Sequence, residues 1–146
     1  MVPTTYSATS ESRLGSFFVQ TYDPAVAPNP VAWLKLDEDK RISMVLKYHR
    51  DNRLSAPRPE VHAALHVIVE NQIALGHDSV VRALARLRSQ GCSRHEALHA
   101  TGSVLIMYIN DLLKPDAGMP TDLEHKKYSE ELDQLTLDSW RKQYQN

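Results

Sequence analysis

The sequence predicts an all-α protein: a single-domain bundle of four to five helices preceded by an irregular N-terminal arm. Three observations carry this. Apolar residues recur at three- and four-residue spacing over most of the chain, helix start and stop signals punctuate it, and strand-like alternation is nearly absent. At 146 residues, one domain is the simplest organisation. We divide it into an arm over 1–30 and a helical bundle over 31–146.

The arm is rich in Ser, Thr and Pro, and Pro24, Pro28 and Pro30 are spaced to forbid regular structure. Phe17, Phe18 and Val19 are its only candidates for packing, as a strap across the bundle. Val31 to Leu36 leads into a helix over 37–51, with Asp37 as N-cap, acids Glu38 and Asp39 in the first turn, and Ile42, Val45, Leu46 and His49 on one face. Pro57 and Pro59 stop it. The next helix starts at Pro59, whose fixed φ suits a first helical position, and ends at Gly76. A helix over 79–90 follows Asp78 and turns Val80, Leu84 and Leu87 inward, with Arg82, Arg86 and Arg88 outside. The most apolar helix spans 93–113 and is closed by Lys114 and Pro115. A last amphipathic helix covers 122–143, with Tyr128, Leu132, Leu135 and Trp140 on its packing face and a capping-box spacing at Thr121 and Glu124.

Bulk properties exclude several functions. With 17 basic and 18 acidic residues, no strong field draws in nucleic acid or an anionic membrane. The three arginines form a stripe without interleaved aromatics, which reads as a solvated helix face. No apolar run approaches the roughly 20 residues of a membrane span. The first residues lack a basic region and an apolar core, so no secretory signal is expected. A single cysteine, Cys92, permits no internal disulfide, and beside Gly91 it reads as an incidental thiol. A cytoplasmic protein is the expectation.

The chemistry concentrates in histidine. The segment from Ser93 to His99 contains H-E-x-x-H, and His62 and His66 repeat the spacing one predicted helix pair earlier. Residues four apart share a helix face with Cβ atoms roughly 6 Å apart, so each pair can bind one ion. Short loops predict antiparallel neighbours, which makes the helices of 59–76 and 93–113 parallel, with both histidine pairs at one end. His49, at the end of its own helix, falls there too. Gly102, one turn past His99, leaves room for a helix or a ligand. Glu70, one turn past His66, is a candidate carboxylate ligand or an acceptor that orients an imidazole. The predicted metal site is therefore His62, His66, His95 and His99, extended by His49 and Glu70. Imidazoles with few carboxylates and no cysteine cluster suit zinc first, then iron or nickel.

Each residue also has an ordinary structural reading. Ser93 and Glu96 make a capping box. A lone histidine such as His49 at an apolar border is usually a hydrogen-bonded core residue. His77 and His125 read as surface residues. H-E-x-x-H is also the zincin signature, in which Glu96 would activate water. Leu105 stands where a metzincin has its third histidine, however, and strand signal for a substrate-aligning sheet is missing. Only if a coordination position stays open does Glu96 or Glu70 become a general base for hydrolysis.

Across most of the chain, further segments extend this pattern. They are Tyr22-Asp23-Pro24, Ala32-Trp33-Leu34, Tyr48-His49-Arg50, the stretches around His62 to Gln72 and His95 to Leu105, and Leu135 to Arg141. Together they resemble an uncharacterised bacterial family, a domain of unknown function that is small, helical and cytoplasmic. The resemblance implies that His62, His66, His95 and His99 belong to the family pattern, and it implies no activity. Two functions follow as expectations. One is a transition-metal protein. The other is a metal-free module with a buried histidine network, whose partner is a second copy or another protein.

Overall fold

The computed structural model describes residues 19–116, 118 and 122–144, and contains seven helices and no strand among them. The strap expected of Phe17 and Phe18 and the capping box at Thr121 lie outside the described residues. Residues from Val19 to Asn29 form no helix; Tyr22 and Pro24 are nevertheless buried.

The lead-in of 31–36 is a helix of its own, α1 (Pro30–Lys35). Asn29 supplies the reason: its side chain accepts from the Ala32 amide at 3.0 Å, and Pro30 occupies the first turn. Arg41 closes the other end by donating to the carbonyls of Trp33, Leu34 and Leu36 at 3.0, 3.0 and 2.7 Å. It stands on α2 (Glu38–Asp51), and its guanidinium also reaches Asn71 Oδ1, which accepts from Trp33 Nε1 at 2.8 Å. One arginine thus ties α1 and α2 to α3 (Pro59–Ala74), whose exit is the left-handed turn at Gly76.

Next come α4 (Asp78–Ser89) and α5 (Arg94–Leu112), the latter capped by Ser93. The single helix expected over 122–143 is two, α6 (Asp122–Gln134) and α7 (Leu137–Tyr144). Thr136 and Ser139 cause the break, each backbone amide donating to the other's hydroxyl at 3.0 Å, which restarts the helix. Arg86 then takes the freed carbonyls of Leu132 and Leu135 at 3.1 and 2.8 Å. Arg82 pairs with Asp133 at 3.1 Å. The arginine face of α4 is therefore a clamp on α6 rather than a purely solvated stripe.

Two apolar clusters flank α3. Tyr22, Trp33, Met44 and Val45 meet Ala63 and Val67 on one side. On the other, Val69 joins Val80, Leu87, Leu98, Leu105, Leu132 and Trp140. Each fully buried aliphatic or aromatic side chain stabilises the fold by roughly 1.5–3 kcal/mol. This leaves the polar face of α3 directed at the ends of α2 and α5.

The relation of α3 to α5 differs from the expected parallel pair. If the histidine pairs lay level, Glu70 would stand level with Ser103, about 13 Å along the axis from Arg94. Instead Glu70 and Arg94 form a two-pronged ion pair at 2.7 and 3.0 Å. The contacts run in opposite directions along the two helices: Glu70, one turn past His66, meets Arg94, which precedes His99. The histidines meet all the same.

Candidate metal centre

Five histidines converge: His49 from the end of α2, His62 and His66 from the first turns of α3, and His95 and His99 from those of α5. One ring nitrogen of each lies within 4.8 Å of all the others, so the cluster could hold a metal ion. His66 is buried and the other four are half-buried. The i,i+4 spacing places each pair on one helix face, and the Glu70–Arg94 pair fixes the register of α3 against α5 that brings the two pairs together.

Hydrogen bonds on the outer nitrogens determine which inner nitrogens carry lone pairs. His49 Nδ1 lies 2.9 Å from the Val45 carbonyl, which can only accept, so Nδ1 is protonated and Nε2 is free to ligate. Tyr22 does the same for His66 at one remove. Its hydroxyl donates to Glu70 Oε2 at 2.6 Å, and burial followed by the Glu70 charge raises its pKa, so the proton stays on oxygen. The 3.2 Å contact between Tyr22 and His66 Nδ1 is then an imidazole N–H donating to the phenol oxygen. Nε2 of His66 faces Nε2 of His99 at 3.0 Å, and Nε2 of His49 faces Nε2 of His62 at 3.1 Å.

Four of the rings are shifted toward the neutral form. Burial, then the neighbouring imidazoles, lowers His66 to about 2 and His99 to about 3. Burial, then His49 and His62, takes His95 down to about 4. His62 is lowered by burial and by His49. No carboxylate oxygen belongs to the cluster, so protonating one ring would place an imidazolium among four others. Neutral imidazole is the form that binds metals.

N–H···N hydrogen bonds would satisfy the two facing pairs, with His62 and His99 as donors. They do not satisfy His95, whose Nε2 is buried with no hydrogen-bond partner. An ion would.

Glu70 stands outside the cluster. Both of its oxygens are engaged by Arg94, and one also by Tyr22, so it acts on His66 only through the phenol. Glu96 is exposed; its amide donates to Ser93 Oγ at 3.1 Å and its carboxylate accepts from the Cys92 thiol at 3.6 Å. Burial and Glu96 push that thiol up to about 11, which keeps it protonated. His125 is exposed and bonds Tyr108 at 2.6 Å. His77, expected at the surface, is half-buried with its ring against Tyr128. Tyr22, Tyr48 and Arg94 were not singled out by spacing. Arg94 lies inside the Ser93–His99 segment, and Tyr22 in an arm whose composition gave no sign of a buried residue.

A scan against protein-family models and searches of curated proteins and of solved structures return no match. The site therefore stands on its own geometry. No described helix is long and apolar enough to cross a membrane.

Proposed function

We propose that this is a metal-binding protein that holds one divalent transition ion through His49, His62, His66, His95 and His99. The observation that carries this reading is the convergence of five ring nitrogens, one from each histidine, within 4.8 Å. Zinc, iron and nickel suit an all-imidazole donor set. The resemblance to a family of unknown function is consistent with this proposal and adds no reaction. A reducing cytoplasm suits the single cysteine.

Elemental analysis after exposure to zinc, ferrous iron and nickel in turn tests it. One ion per chain is expected, abolished by the double change His62→Ala and His99→Ala. A folded wild-type protein that takes up none of the three would overturn the proposal.

A further inference from the structure

A cleft opens beside the cluster. It is lined by His62, His66 and His99, by Leu65, Leu98 and Ile106, and by Gly102 and Ser103, around about 260 Å³. That is below the roughly 300–1,000 Å³ of sites for drug-sized ligands. Resting on the metal reading above, we infer that this cleft binds a short-chain aliphatic monocarboxylate, its carboxylate on the ion and its alkyl chain along Leu65, Leu98 and Ile106.

Charge selects the head group. Five imidazoles bind as neutral ligands and leave both positive charges of a divalent ion uncompensated. Glu70 is already paired with Arg94, Glu96 accepts from Cys92, and Asp23, the other carboxylate whose charge reaches His95, accepts from the Ala25 amide and contributes no ligand atom to the cluster. An anionic ligand supplies what the protein does not.

The apolar body follows from what else the cleft offers. Its remaining hydroxyl, Ser103, already donates to the His99 carbonyl at 2.9 Å and accepts from Trp140 Nε1 at 3.2 Å. A ligand with one charged end and no further polar groups matches this lining.

Gly102 is the second, independent sign. It lies inside α5, where glycine costs about 1 kcal/mol relative to alanine. The usual reason for a buried helical glycine is close approach of another backbone. Here a β-carbon would meet nothing within 4 Å. The space it leaves open is the cleft, since Gly102 is on its wall.

Cobalt(II) provides the readout, through visible bands that change with its ligands. The cobalt-loaded protein is titrated with acetate, butanoate and butylamine. Each buried methylene is worth about fourfold in affinity, so butanoate, with two more than acetate, should bind about fifteen-fold tighter. Butylamine should leave the bands unchanged. Gly102→Leu should retain one cobalt per chain and lose the preference for butanoate. Gly102→Ala, which the open space accepts, should reduce that preference at least threefold while keeping the fold. Equal binding of acetate and butanoate, or an undiminished preference in either Gly102 variant, would overturn the inference while leaving the metal site intact. Failure to take up cobalt, zinc, ferrous iron or nickel would instead remove the metal reading, and this inference with it.

Discussion

Arg94 donates to both carboxylate oxygens of Glu70, at 2.7 and 3.0 Å, with the two side chains only 7% and 1% exposed. The pair joins the first residue of α5 to the fourth turn of α3. It thereby fixes the register in which His66 meets His99. Arg94 also holds the arm, by donating to the Pro24 carbonyl at 3.0 Å.

Removing one partner of a buried ion pair strands the other charge. Arg94→Leu should therefore destabilise the protein by about 3–5 kcal/mol, measured by denaturant unfolding in the presence of a chelator. Changing Glu70 and Arg94 together to leucine should cost less than Arg94→Leu alone, because no charge is left buried. Equal losses in the single and double variants would mean that the pair matters through packing and not charge.

Tyr22 lies between that ion pair and the histidines. Its phenol accepts from His66 Nδ1 and donates to Glu70, which keeps the His66 lone pair on Nε2. Tyr22→Phe preserves the ring packing against Trp33 at 5.6 Å and removes only the oxygen. Metal affinity should fall about 10–100-fold, the usual effect of losing a group that orients a metal-binding histidine. Competition with a coloured chelator measures it. An unchanged affinity would show that the His66 tautomer does not depend on Tyr22.

The lowered pKa values predict an acid-labile apo fold. A histidine titrating lower in the folded state than in the unfolded chain binds fewer protons when folded. Its stabilising contribution is therefore present above the unfolded value of about 6.5 and is lost as pH falls toward the folded value. For His95 and His99 that window runs down to about 4 and about 3. Each ring that stays neutral contributes a slope of about 1.4 kcal/mol per pH unit. In chelator-treated protein, the unfolding midpoint should drop steeply between pH 6.5 and 5, above the range where ordinary carboxylates titrate. Bound metal should move that drop to lower pH. A flat profile from pH 7 to 5 would contradict the burial of these rings.

What the sequence could and could not reveal follows from the range of each signal. Spacing of four on a helix is local, so His62 with His66 and His95 with His99 are visible as pairs. Caps are local too, and Pro59, Gly76 and Ser93 bound their helices as expected. The Thr136–Ser139 break is equally local, but the hydrophobic periodicity of Leu132, Leu135 and Trp140 continues across it and conceals it. The register of α3 against α5 is different. It depends on Glu70 reaching Arg94, a contact between residues 24 apart, and loop lengths alone favour a level, parallel pair. Tyr22 lay beyond reach for the same reason, since an irregular arm carries no periodicity that could mark one residue as buried.

Ser93 and Glu96 separate the two meanings of H-E-x-x-H. Ser93 Oγ accepts from the Glu96 amide, so the hydroxyl caps α5 whatever the neighbouring histidines do. Ser93→Ala should cost about 1 kcal/mol of stability, the ordinary value of an N-cap. Glu96 sits one residue from His95, and its carboxylate accepts from the Cys92 thiol. Glu96→Gln keeps the backbone amide, and with it the cap, and removes only the charge. Metal stoichiometry should stay the same and affinity should remain within about twofold, since a neutralised exposed carboxylate perturbs a neighbouring site weakly. Calorimetric titration of both proteins with zinc measures this directly. A large loss of affinity in Glu96→Gln would place its carboxylate on the ion and restore the hydrolase reading of the motif.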